Sequence, residues 1–328
     1  MRTLVATALV PFLLAAAPTG YHVSGEIKIG GEGGWDYLTV DSAARRLYVS
    51  HATHVVVVDL DSNKVVGDIP DTPGVHGIAI APELNRGFIS NGRGNNITMF
   101  DLKTLMPTGM AAAGENPDSI RYDSVSGRVF AFNGRSKNAT VVDAKTGNVA
   151  ATIALPGKPE FSVADGKGKV YVNIEDTNEV VEIDAAKATM IKKYSLNPCA
   201  EPTGLAIDAK NRRLFSACSN RLMVVSDPDA GKVVAMAPIG AGSDGAAFDP
   251  ETGYAFTSNG DGTLTIVQQR GATWEVLENV ATERGARTIA IDEKTHTIYL
   301  PTATVAPSQG GGRATYLPNT FKVLVVGK

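Results

Sequence analysis

One strand-and-turn pattern recurs seven times along the 328-residue chain. The copies open at Asp36, His76, Asp118, Glu160, Thr203, Asp244 and Arg287. Their spacing averages about 42 residues, the length of one four-stranded propeller blade. The first copy reads DYLTVDSAARRLYVSHATHVVVVDLDSNKVVGDIP. Its β-branched and aromatic runs, Leu47-Tyr48-Val49 and Val55 to Val58, suit strands. Turns such as Lys145-Thr146-Gly147-Asn148 separate such runs, and the chain's 34 glycines and 17 prolines supply them in quantity. A tandem array of antiparallel sheets must dispose of its edges, and radial closure does so. Copy seven has only three strands and ends at Lys322 to Val326. Val23 to Gly30, ahead of copy one, matches the missing fourth strand. The repeat therefore predicts an all-β, seven-bladed β-propeller with four antiparallel strands per blade. The N-terminal strand closes the last blade, and a single domain spans 21–328. A linear solenoid would need capping repeats instead of a split one.

Met1 to Gly20 reads as a cleaved secretory signal: Arg2, an apolar run from Leu4 to Ala17, then small residues. Pro11 interrupts the run, and it falls short of the ~20 apolar residues a spanning helix needs. The mature chain is therefore expected in the periplasm or outside the cell, with no stable membrane insertion. In such an oxidising compartment Cys199 and Cys218 are expected to form a disulfide. Cys199 precedes the first strand of copy five and Cys218 ends its second. The bond would brace the loop holding Pro198, Glu201 and Pro202. Lys plus Arg number 31 against 34 Asp plus Glu, a net charge of -3. A duplex binder uses a basic surplus to neutralise phosphates, so this balance speaks against a nucleic-acid partner.

The segments Leu47-Tyr48-Val49-Ser50, Val170-Tyr171-Val172-Asn173 and Val141-Val142-Asp143 resemble the YVTN β-propeller repeat. Residues 21–328 as a whole resemble the YncE-like family of exported bacterial propellers. The resemblance implies the fold but fixes no activity. DNA binding has been attributed to some members, and the charge balance here argues against carrying it over.

Propeller topology places the loops that precede each first strand on one face, called here the top. The first residue of each inner strand then lines the channel mouth. That ring is Asp36, His76, Asp118, Glu160, Thr203, Asp244 and Arg287. Carboxylates around an imidazole suit a divalent cation or an acid–base pair, and Asp36, His76, Glu160 and Asp244 form the candidate metal set. Arg287 can hold an anionic group bidentately. The competing reading is a hydrated polar lining with no ligand. A second ring, at the ends of the second strands, contains His51, Asn91, Asn133, Ile174, Cys218, Asn259 and Thr302. Its Asn-Gly pairs are expected to supply positive φ angles to tight loops. Arg93 and Arg135 follow two of these pairs, either to grip a carboxylate or phosphate or to pair with Asp118 or Glu160. His51 and His54 stand three apart in a loop. Between Thr302 and Lys322 runs a long loop with Gly310-Gly311-Gly312, Arg313 and Tyr316, read as a lid or a tolerated insertion. No Walker A loop, G-x-S-x-G elbow or H-E-x-x-H occurs.

The leading expectation is a binding module for a small molecule or protein, acting through His51, His76, Arg93, Asp118, Arg135 and Arg287. The alternative is a metal-assisted hydrolase or lyase, similar to lactonase-type propellers. There a divalent cation at the mouth would polarise a substrate oxygen while His76 or a carboxylate moves a proton.

Overall fold

A computed structural model describes residues 18–306 and 315–328. The apolar run of the expected signal, Gly310 to Gly312 and Arg313 lie outside the described residues. Seven antiparallel sheets of four strands each make a seven-bladed propeller. Blade 1 comprises Leu38–Asp41, Arg46–His51, His54–Asp59 and Lys64–Ile69, in that order from the channel outward. Among the described residues the only helical elements are two single 3-10 turns, Pro82–Leu84 and Glu175–Thr177. No described helix is long and apolar enough to cross a membrane.

Closure is by strand pairing. In the last blade the sheet order is His22–Lys28, Lys322–Gly327, Thr297–Thr302, Ala290–Asp292. The N-terminal strand thus lies outermost and pairs antiparallel with the C-terminal one, with a bulge between Val23 and Gly25. The two strands leave no unpaired inner edge at the seam.

The core lies between blades. Apolar residues on alternate positions pack sheet against sheet, as where Tyr48, Val57 and Ile69 of blade 1 meet Ile78, Ile89 and Phe100 of blade 2. Each such burial is worth about 1.5–3 kcal/mol relative to exposure. Between blades 6 and 7, Tyr21 packs with Phe256, Ile298, Leu300 and Val326.

At the bottom face, buried aspartates end most inner strands and serve the ring itself. Three take a donor from the following blade: Asp292 from Arg45, Asp165 from Arg212 Nη1 at 2.8 Å, and Asp249 from His296 Nδ1 at 2.8 Å. The three donors share left-handed backbone, with φ of 56°, 56° and 57°. The Arg45 pair joins the first blade to the last. In blade 5, Cys199 and Cys218 are disulfide-bonded and buried.

Candidate functional site at the channel mouth

Each inner strand begins at the top of the channel, so the first residue of each is presented to its mouth. The ring resolves into three groups. In the first, His76 Nδ1 donates to Asp36 Oδ2 at 2.6 Å and lies 3.7 Å from Asp118 Oδ1. Burial opposes charge on this imidazole. The hydrogen bond to Asp36 and the charges of Asp118, Asp36 and Glu160 outweigh it and lift its pKa to about 9. Burial, with Asp36 and Asp244 nearby, pushes the Asp118 carboxyl up against the opposing pull of His76. Asp118 Oδ1 is buried and accepts no hydrogen bond.

The second group is an ion-pair cluster. Lys158 Nζ lies 2.5 Å from Glu160 Oε1 and also contacts Glu175. Burial and the charge of Asp118 push the Glu160 carboxyl up, and Lys158 pulls it back. In the third group Arg287 Nε lies 3.0 Å from Asp244 Oδ2. Thr203, between the last two groups, donates its hydroxyl to the Ser243 carbonyl at 2.9 Å.

This pairing revises the sequence-derived metal set. Glu160 and Asp244 each carry a cation partner of their own. The residues whose ligand atoms converge, all within 4.8 Å of one another, are Asp36, His76 and Asp118. Two carboxylates and an imidazole are hard and borderline donors that suit Zn²⁺ or Mn²⁺. Asp118 Oδ1 accepts no hydrogen bond, so these residues fit a divalent cation that displaces the His76 proton. Such a cation would supply Lewis-acid polarisation at the mouth.

One residue below the ring, Tyr37 of blade 1 and Phe161 of blade 4 meet across the channel, ring centroids 5.0 Å apart and edge to face. They floor the mouth. Burial, followed by the charges of Asp118 and Asp36, holds the Tyr37 hydroxyl well above its ordinary pKa, so it stays protonated.

The second ring has a different role from the one expected. Asn91, Asn133 and Asn259 are fully buried. Each amide donates to the next strand: Asn91 to Asn96 Oδ1 and Thr98 Oγ1, Asn133 to Asn138 Oδ1 and Thr140 Oγ1, and Asn259 to Thr263 and Thr265 hydroxyls. Positive φ falls later in the same loops, on Asn95, Lys137 and Gly262. Glycine follows Asn91 because space is lacking. A Cβ at Gly92 would stand 2.6 Å from His76 Nε2.

Arg93 and Arg135 are exposed and make no ion pair with Asp118 or Glu160, which have the partners named above. They flank the mouth without belonging to its charge network. His51 is the clearest correction. It is 1% exposed and stacks on Phe321 at 4.4 Å, so no ligand at the mouth can reach it. Its Nδ1 lies 3.3 Å from His54 Nε2. Burial, with His54 close by, lowers its pKa to about 4.

Sequence reasoning passed over Lys158, Glu175, the Tyr37–Phe161 floor and an aromatic rim. In that rim Trp35 packs edge-on against Tyr316 at 4.6 Å and stacks on Phe321 at 5.1 Å. Tyr316 thereby pins the described C-terminal end of the long loop beside Asp36. The adjacent Trp35-Asp36 pair at the start of copy one was the available signal.

No family model matches the chain. It is 24% identical over 206 residues, 58% of its length, to an uncharacterized protein, YncE, of Salmonella typhi, and equally to that of Salmonella typhimurium. It spans 57% of the length of those relatives. Among solved structures, hydrazine synthase of Kuenenia stuttgartiensis aligns with a TM-score of 0.74 at 14% identity, covering 86% of this chain and 96% of that one. The WD40 repeats of RRP9 align with a TM-score of 0.79 at 8% identity, covering 95% and 99%. U3-55K aligns at 0.78 and 8% identity, covering 92% and 97%. These likenesses establish the propeller fold.

Proposed function

We propose that the chain is a YncE-like exported binding module whose top-face mouth receives a divalent cation or the cationic group of a small ligand. The observation that carries this reading is Asp118. Its Oδ1 is buried and accepts no hydrogen bond, and the His76 nitrogen 3.7 Å away is already engaged by Asp36. A buried carboxylate oxygen without a donor is costly, and a bound cation relieves that cost.

A second reading is favoured by the ligand count. Three protein ligands leave open positions on a metal, the arrangement of catalytic rather than structural sites. A metal-assisted hydrolase or lyase would use those positions for the substrate oxygen, with His76 or a mouth carboxylate handling the proton. Export is supported by the apolar N-terminal run and by a disulfide bonded and buried in blade 5. The partner on this reading is a small molecule or a protein, not nucleic acid.

Titration calorimetry with Zn²⁺, Mn²⁺, Ca²⁺ and a primary amine tests the mouth. At least one of them binds wild type, and Asp118→Asn weakens it at least tenfold. Equal affinity in the variant, or no binding by any of the four, overturns the reading. Cell fractionation with N-terminal sequencing tests export; a cytoplasmic chain that retains Met1 refutes it.

A further inference from the structure

Beneath the Tyr37–Phe161 contact the channel widens into a chamber of about 240 Å³. Apolar side chains line it, with Leu38, Ile78, Ile120, Val163, Leu205 and Ile289 among them, while polar and apolar atoms share its surface about equally. One guanidinium also lines it, that of Arg121, which neither reading of the mouth uses. Arg121 Nε and Nη2 both donate to the Ser162 carbonyl, at 3.1 and 2.7 Å. The guanidinium carbon sits 5.6 Å from the centroid of Phe161. These contacts orient the group but do not neutralise it. Among the described residues no carboxylate pairs with Arg121, and Nη1 has no hydrogen-bond acceptor. Glu293 lines the same chamber without reaching it. Burial alone pulls the pKa of Arg121 down to about 10, with no acid nearby to restore it.

A partly buried cation without a counterion is left open to an anionic ligand. The free edge of a guanidinium is a planar fork of N–H donors that matches a carboxylate. The walls around it offer contact to methylenes and no second cation. A doubly charged anion would leave one charge desolvated and unpaired there. A chamber of about 240 Å³ has room for an acid of roughly four to six carbons.

We propose that the chamber binds a small monocarboxylate, its carboxylate on the free edge of Arg121 and its apolar tail along the channel wall. The Tyr37–Phe161 contact separates this site from the mouth, so the ligand enters from the bottom face. The site stands independently of the proposed cation site.

Calorimetry on the full mature chain tests it, with acetate, butyrate, hexanoate, phosphate and sulfate as probes. Hexanoate binds at least tenfold more tightly than acetate, and phosphate and sulfate bind more weakly still. Arg121→Met lowers hexanoate affinity at least tenfold, whereas His76→Gln at the mouth leaves it unchanged. Absence of hexanoate binding to wild type, equal binding by Arg121→Met, or phosphate binding as tight as hexanoate overturns the proposal. Should Arg121→Met not fold, wild type alone decides by isotope-filtered NMR. The hexanoate chain then shows nuclear Overhauser contacts to the methyls of Ile78, Leu205 or Ile289, and their absence refutes the site.

Discussion

Two imidazoles on neighbouring blades are driven in opposite directions by their surroundings. His51, buried beneath Phe321 with only another imidazole beside it, loses its proton easily, with a pKa near 4. His76, also largely buried, stands between two carboxylates and keeps its proton to about pH 9. Linkage fixes the sign of each effect on folding. His76 has its pKa raised, so its contribution is fully present below about pH 6.5 and is lost as pH rises toward about 9. His51 has its pKa lowered, so the unfolded chain binds the extra proton and stability falls as pH drops from about 6.5 toward about 4. Each swing is worth at most about 3 kcal/mol. Heteronuclear NMR of the two rings should give midpoints near 9 and 4, and a His76 midpoint at or below 6.5 refutes the charge network. A neighbouring position tests the packing behind it. Because a Cβ at Gly92 would stand 2.6 Å from His76 Nε2, Gly92→Ala should displace the ring and cost about 1–3 kcal/mol by overpacking. Equilibrium denaturation measures the loss, and the His76 midpoint should move toward 6.5 as contact with Asp36 loosens. Unchanged stability and an unchanged midpoint together would show that the ring has room.

Within a single blade, legibility in the sequence follows the range of the contact. Strands and turns were readable because their signals repeat locally with period two and recur with each blade. Blade-to-blade register then brought Asp36, His76 and Asp118 to adjoining positions at the mouth. That ring could be written down from alignment alone. Its sorting into partners could not. Lys158 reaches Glu160 from the loop just before the strand, outside the aligned register. The Tyr37–Phe161 floor joins strands from opposite blades, and no local pattern encodes which side chains meet across a channel. His51 shares an aligned ring with Asn91 and Asn133, yet its burial depends on Phe321 near the other end of the chain. Blade 5 carries its own staple, the Cys199–Cys218 bond with 19 residues of sequence separation. Closing so short a loop stabilises by about 3 kcal/mol at most. Denaturant melts of wild type and the Cys199→Ser, Cys218→Ser double variant should differ by up to that amount, with the top loop of blade 5 losing amide protection first. Two free thiols in denatured, unreduced protein would remove the bond from the account.

At the scale of the whole ring, stability depends on how the last blade meets the first. Two devices act at that seam. The N-terminal strand pairs with Lys322–Gly327 at the periphery. Near the channel's bottom end, Arg45 of blade 1 engages Asp292 of blade 7, a carboxylate with no exposed side-chain surface. The same construction recurs between blades 4 and 5, where Arg212 engages Asp165. There, however, the blades are also joined by the chain itself. Removing either arginine leaves a buried carboxylate without its partner, which costs about 3–5 kcal/mol when nothing else compensates. Asp292 retains hydrogen bonds from Thr295 and the Lys294 amide, which places Arg45→Met toward the lower end of that range. The two variants should therefore lose similar equilibrium stability and differ in how they open. In Arg212→Met a local gap forms between blades that remain tethered. In Arg45→Met the seam opens, and the outer strands at 22–28 and 322–327 exchange amide hydrogens well before the rest. Hydrogen exchange with mass spectrometry distinguishes the two patterns. If the seam strands of Arg45→Met exchange no faster than those of Arg212→Met, peripheral strand pairing alone closes the ring, and the inner ion pair is one inter-blade contact among several.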